Sequence, residues 1–280
     1  MSTMEARDVT DALPSIRTRA STFPSVAPES DYNSDRYRMN YKNMGMAVII
    51  NNKNFHPRTG MNTRTGTDVD AANMKDLLKT IGFENVVTLN DLTAFQMIDH
   101  MRKVALLDHS ENSCFVCVIL THGEEGYVFG TDDKVQVEQM VAPFKGHKCL
   151  SLAGKPKIFL IQACRGTELD PGVEVPDGME IEMEEEVRRI PTEADFLMAY
   201  SVVPGYFAWR NSTRGSWFIQ AVYDVIKTNW KTMDLLTMMT RVNKKVAYDF
   251  QSNANKEHMN NKKQIPCITS MLTKDVFFYQ

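Results

Sequence analysis

The chain is expected to adopt an α/β fold: three α/β/α layers around a mostly parallel central sheet of about six strands, with helices on both faces. Three observations predict this. Strand-like and helix-like segments alternate along most of the 280 residues. The run Ile158, Phe159, Leu160, Ile161 shows no polar alternation, as expected of a strand covered on both faces. That strand, and the one from Phe115 to Thr121, end in the reactive side chains Cys164 and His122, at the carboxyl edge where open α/β sheets place their chemistry.

Each element has its own signal. Residues 1–34 are Ser-, Thr- and Pro-rich with few large apolar groups and read as a disordered leader. Gly45 to Asn51 is a first buried strand, followed by a polar loop from Asn54 to Thr67. Thr67 with Asp70 resembles a capping box, and Val69, Ala72, Met74, Leu77, Leu78 and Ile81 then follow at helical spacing until Gly82. Val86 to Leu89 is a short strand. Asp91 to about Leu107 is a second helix, with Phe95, Ile98, Met101, Val104 and Ala105 expected inward. Tyr127 to Phe129 is a brief strand and Val137 to Phe144 a short helix. Residues 166–189 lack apolar periodicity and carry Pro171, Gly172, Pro176 and Gly178 before a glutamate cluster, so they read as an exposed linker. A strand from Asp195 to Val202, helices from Ser216 to Asn229 and from Asp234 to Phe250, and terminal strands Cys267 to Leu272 and Val276 to Tyr279 complete the chain.

Composition narrows the function classes. Hydrophobic content of 43% and charged content of 24% are ordinary for a globular protein. A net charge of −3 argues against nucleic acid or an anionic membrane as partner. No apolar run is long enough to span a bilayer, and the N-terminus has no apolar signal core. Five cysteines without a framework spacing read as free thiols, hence a cytoplasmic protein. Cys114 and Cys117 form a CxxC, but inside a strand they point to opposite faces, so no metal is expected. No glycine-rich phosphate loop follows a strand, which excludes a nucleotide-binding α/β domain.

Gln162-Ala163-Cys164-Arg165-Gly166 resembles the cysteine signature of the caspases. Thr121-His122-Gly123-Glu124-Glu125-Gly126, about 40 residues upstream, resembles that family's histidine loop. The resemblance runs from about Asp35 to Gln280 and is nearest to the executioner (effector) type. It implies a zymogen of a cysteine endopeptidase that cuts after aspartate in apoptosis and uses no cofactor.

The residues fit that chemistry. A free thiol is only a few per cent thiolate at neutral pH, and an imidazole partner takes its proton and later returns it to the leaving amine. Cys164 and His122 supply that pair. Gly123 lets its backbone N–H approach an oxyanion beside that of Cys164, a role the resemblance implies. An aspartate-accepting pocket needs fixed positive charge, which arginine provides in bidentate form. Arg64 and Arg210 match the family's pocket positions, with Gln162 completing the pocket. Reversing either arginine to glutamate is expected to abolish cleavage after aspartate and to leave the fold intact. Tyr206 and Trp209 resemble the wall for a small apolar side chain, and Asn211 and Trp217 the region that holds an acidic residue further from the cut. Met259 stands where such enzymes carry phenylalanine, and Asn253 and Asn255 where some carry a phenylalanine pair, so the resemblance lapses at the outermost subsite.

Asp8-Val9-Thr10-Asp11 in the leader matches the expected Asp-x-x-Asp specificity, and Glu174-Val175-Pro176-Asp177 in the linker is a near match. Cuts after Asp11 and Asp177 would leave a large piece carrying the catalytic part 35–177, still preceded by the rest of the leader, and a small one, 178–280. Proline follows Asp170 and blocks cleavage there. Expected partners are protein and peptide substrates, a second copy giving a dimer of heterodimers through the terminal edge strand, an upstream initiator caspase and protein inhibitors. The alternative is a catalytically silent homologue acting as a binding regulator, which should lack one of the site residues named above; this chain lacks none.

Overall fold

The computed structural model describes residues 34–166, 168, 169, 193–253 and 257–279. The two proposed cut sites at Asp11 and Asp177, and with them nearly all of the leader and linker, lie outside these, as do Asp170 and Asn255.

Six strands form the central sheet: β1 (Asn43–Asn51), β2 (Asn85–Asn90), β3 (Asn112–Leu120), β7 (Lys157–Gln162), β8 (Phe196–Tyr200) and β11 (Cys267–Ser270), in the order β11-β8-β7-β3-β1-β2. All neighbours pair in parallel except β11, which runs antiparallel to β8. A ribbon of β4 (Gly123–Glu124), β5 (Tyr127–Phe129) and β6 (Lys134–Gln136) rises from the end of β3, and a small hairpin pairs β9 (Arg210–Asn211) with β10 (Gly215–Ser216).

The helices lie on both faces. Helices α1 (Thr67–Thr80), α4 (Trp217–Asn229) and α5 (Leu235–Asp249) cover one face, against Ala47, Ile49, Val116, Val118, Ile158 and Leu160. Helices α2 (Ala94–Ala105) and α3 (Val137–Val141) cover the other, against Val48, Ile50, Phe115, Ile119, Phe159 and Ile161. Successive strand residues thus serve opposite cores, which is why these strands are apolar without alternation. The second core includes a run of rings, Phe144 on Phe115 at 4.3 Å, Phe115 on Phe159 at 5.9 Å and Phe159 on Phe196 at 6.1 Å. Each such burial contributes about 1.5–3 kcal/mol. Cys114 belongs to the first core and Cys117 to the second, as their spacing in a strand predicts.

Three local expectations need correction. Phe95 is 73% exposed, not inward. The helix starts at Ala94 under a capping box made by Thr93 and Gln96, and Asp91 instead binds the Lys53 and Asn54 amides. Met97, Met101 and Val104 then set the inner face, and Phe95 sits two residues, some 200°, away from Met97. The capping box at Thr67 and Asp70 does not form. Gly66 is the N-cap of α1, and both side chains are engaged elsewhere. Finally, Val276 to Tyr279 is not a strand. Val276 and Phe278 are apolar because they pack into the core of the helix-rich face, and the Val276 carbonyl accepts the Leu235 N–H.

At the opposite end of the sheet from Cys164, Asp195 holds three segments together. Its carboxylate accepts hydrogen bonds from Tyr37 Oη at 2.7 Å and Thr273 Oγ1 at 2.9 Å, and lies 3.9 Å from Lys157 Nζ. Its backbone has φ of +70°, uncommon for a residue with a side chain. Burial pushes the Lys157 ammonium down to about 8, offset by Asp195.

Candidate active site

The thiol stands where β7 leaves the sheet. Ala163 is held by Ser201 Oγ, which donates to its carbonyl at 2.9 Å and accepts its N–H at 3.3 Å. The Arg165 N–H donates to Tyr206 O, and the Gly205 N–H to Arg165 O. Cys164 is thus fixed from both sides, half-buried, with Sγ 4.0 Å from Ala208 O.

His122 follows β3, the strand beside β7, and the Thr121 N–H donates to Gln162 O across the two strand ends. Glycine at 123 is required by packing. A Cβ there would lie 2.7 Å from Cys164 O and 2.8 Å from Ala163 Cβ, so the histidine loop rests directly on the cysteine turn. The Phe129 N–H donates to His122 O, which makes Gly123 and Val128 a non-hydrogen-bonded pair and leaves the Gly123 N–H outside the ribbon's ladder.

The imidazole is oriented by its other nitrogen. Nε2 lies 2.8 Å from Asn62 O, and a carbonyl only accepts, so Nε2 carries the proton and Nδ1 keeps its lone pair. The ring also packs on Phe55 at 4.9 Å. Burial, reinforced by Arg64 and Arg210, pushes His122 down to about 4 against the opposing Asn62 bond. Burial pushes the Cys164 thiol up, while Ala208 and the same two arginines pull it back in part. Both groups are therefore neutral at pH 7. The alkylation rate of Cys164 by iodoacetamide, followed by peptide mass spectrometry to separate it from half-exposed Cys267, should climb without a plateau through pH 8–9. A flat rate from pH 5 to 8 would instead mean a preformed thiolate–imidazolium pair.

Arg64 is 1% exposed. Its Nη1 donates to Thr67 Oγ1 at 2.6 Å and Asn52 O at 3.2 Å, while Nε and Nη2 have no partner among the described residues. Burial and the nearby charge of Arg210 push this guanidinium down to about 9, opposed by Asp70 and Cys164. Arg210 is half-buried, with Nε donating to Thr65 O at 2.8 Å. Gln162 Oε1 is likewise buried without a partner among the described residues. Burying such groups unpaired is costly, so they mark a place built to take a polar ligand. Two guanidiniums brought together here could hold a carboxylate. Arg64→Glu would bury a carboxylate here near Asp70, so the expectation that this reversal spares the fold does not hold.

The outer residues divide. Trp209 stacks on Trp217 at 5.7 Å, Trp217 on Phe250 at 5.5 Å, and Phe207 meets Trp209 edge-on at 5.5 Å. Trp217 is the first residue of α4 and is buried, a backing for Trp209 and not a loop residue open to ligand. Asn211 Oδ1 accepts from Thr213 N, Thr213 Oγ1 and Arg214 N, so that oxygen is committed to closing the hairpin turn. Tyr206 is partly exposed and holds Arg165 through its carbonyl. Met259 ends a 3-10 turn, Glu257–Met259, where its carbonyl accepts from Ser252 Oγ.

Sequence reasoning missed the supports. Asn62, Thr65 and Ala208 act through backbone carbonyls, which leave no trace in side-chain identity. Gln264, buried, accepts the Trp209 N–H at 2.7 Å and donates to Ser201 O at 2.6 Å. Asp70 reaches Ser216 across 146 positions.

Comparison with known proteins identifies the family. Residues 44–277 match the family model of the caspase domain, peptidase C14. Caspase-3 of Bos taurus is 50% identical over 244 residues, covering 87% of this chain and 88% of that protein. Caspase-3 of Mus musculus is 49% identical over 248 residues, covering 89% and 88%. The crystal structure of Caspase-1 from Spodoptera frugiperda superposes with a TM-score of 0.81 at 42% identity, covering 89% of this chain and 96% of that one.

Proposed function

The chain belongs to the caspase family, as an executioner-type cysteine endopeptidase that cuts proteins after aspartate, and from that premise we propose which residues carry the reaction. Cys164 Sγ attacks the scissile carbonyl carbon as its proton passes to His122 Nδ1. The N–H groups of Gly123 and Cys164 stabilise the oxyanion. The imidazolium then protonates the leaving amine, the C–N bond breaks, and a thioester remains. Water, deprotonated by His122, attacks that thioester, and the acid is released as the proton returns to sulfur. Arg64, Arg210 and Gln162 hold the aspartate side chain. Tyr206 and Trp209 wall the next subsite, and Asn211, Trp217 and Met259 belong to the outer region. The observation that carries the reading is the pair of buried Arg64 nitrogens, without a partner among the described residues, beside a second guanidinium and the thiol.

The protein is made as a zymogen. Cuts after Asp11 and Asp177 remove a short propeptide from leader 1–34 and separate a large piece, 12–177, whose catalytic part is 35–177, from the small piece 178–280. The first holds Arg64, His122 and Cys164, and the second Arg210. Two such pairs join through β11, which lies at the edge of the sheet. An initiator caspase makes the first cuts, and protein inhibitors occupy the same pocket. All five thiols are free and no helix among the described residues is long and apolar enough to cross a membrane, which fits work in the cytoplasm. The test is intact-mass spectrometry of the chain expressed at high concentration in bacteria, where no initiator caspase is present and any of these cuts must be the enzyme's own. Wild type should yield fragments ending at Asp11 and Asp177, and the Cys164→Ala chain should stay whole. Cuts elsewhere, or the same cuts in both, would overturn the assignment.

A further inference from the structure

We propose that Asp70 is a specificity-setting positioning residue: its carboxylate clamps the hairpin that carries Arg210 onto the helical turn that anchors Arg64, and so sets the width of the pocket for the cleaved residue's side chain. The inference rests on the reading of Arg64 and Arg210 as that pocket.

Two residues that local rules would spend on helix caps are spent on each other. Asp70 lies in the first turn of α1, and Ser216 is the N-cap of α4. Ser216 makes no side-chain cap bond; its Oγ donates to Asp70 Oδ2 at 2.5 Å, and its N–H donates to Asp70 Oδ1 at 2.8 Å. A serine N-cap ordinarily contributes about 1 kcal/mol through its own helix, so that local contribution is given up for a long-range bond. Both partners are fully buried, where such bonds are strongest and most costly to break.

The clamp acts on both arginines. Ser216 sits directly opposite Arg210 in the β9–β10 register, so fixing its backbone fixes the backbone of Arg210. Thr67, one turn before Asp70, is the residue that receives Arg64 Nη1. Gly215 makes the contact possible. Its φ is +85°, and a Cβ there would lie 2.2 Å from Asp70 Oδ1. Asp70 also opposes the fall of both guanidiniums, while burial pushes its own carboxyl up against the Ser216 bonds and the two arginines. Arg64 and Arg210 lie on opposite sides of the proposed cut, so the clamp bridges the two pieces.

The experiment compares fluorogenic tetrapeptides ending in aspartate or in glutamate, which differ by one methylene. Ser216→Ala, Asp70→Asn and Gly215→Ala would be tested beside wild type, with melting temperature and the Cys164 alkylation rate as controls. Gly215→Ala displaces the hairpin while the Asp70 charge stays, which separates geometry from charge. The aspartate-over-glutamate ratio of kcat/KM should fall by roughly tenfold or more in each folded variant, through KM for the aspartate peptide, with alkylation unchanged. If Ser216→Ala and whichever other variants fold keep the ratio within about twofold, or lose kcat equally on both peptides, the clamp is merely structural. A wild type that ignores aspartate would instead sink the pocket reading itself.

Discussion

Cys164→Ala should lower kcat on an Asp-Glu-Val-Asp reporter by something on the order of 10⁶-fold while leaving the melting temperature unchanged. The change removes one sulfur atom that is half-buried and that makes, among the described residues, one long hydrogen-bond contact, to Ala208 O, so little packing is lost. The effect is large because no other group replaces the nucleophile. Cys114 and Cys117 are buried within the two cores, and burial pushes both thiols far up. His122→Ala should match it closely, because nucleophile and base act as one unit whose separate losses are not additive. Residual turnover above about 1% in the cysteine variant would mean that a different group attacks.

Arg210→Glu should be the second most damaging change. It places a carboxylate against the carboxylate of the substrate, where a guanidinium stood. Loss of one partner from a hydrogen-bonded buried charge pair costs about 2–5 kcal/mol, which is roughly a thirtyfold to several-thousandfold fall in kcat/KM. Repulsion should drive the result to the upper end of that range. Discrimination between aspartate and asparagine at the cleaved position should collapse with it. Arg210 suits this test better than Arg64, since it is half-buried and sits on a hairpin, not sealed under the sheet edge. Unchanged preference for aspartate in the folded variant would remove Arg210 from the pocket.

The centre of the sheet was legible because β1, β3 and β7 pair in parallel on both sides and are sealed on both faces, so each reads as an apolar run with a definite end. The ends of β3 and β7 pointed to His122 and Cys164 for the same reason. Phe95 was misread because hydrophobicity alone does not set the phase of a helix; the cap at Thr93 does, and Phe95 falls on the far side of it. The tail beyond Asp275 was misread because a buried apolar coil and a strand have the same composition. The supports of the site were illegible for another reason. The carbonyls of Asn62 and Ala208 are common to every residue type, and the bond from Ser216 to Asp70 spans positions that no local pattern joins. Asp70 carried a signal, but it was that of a helix start.

The Asp195 carboxylate bears on what happens to a chain that is severed twice. Tyr37 comes just after the leader, Asp195 just after the linker, and Thr273 near the last residue, and one buried anion ties all three. Lys157, at the start of β7, anchors that knot to the sheet roughly 20 Å from where the same strand delivers Cys164. Nicking either segment therefore frees no end that the architecture depends on. The molecule is stitched at its base, so the proposed cuts would alter covalent continuity without loosening the frame, and any rearrangement that followed them would fall to the loops at the opposite rim.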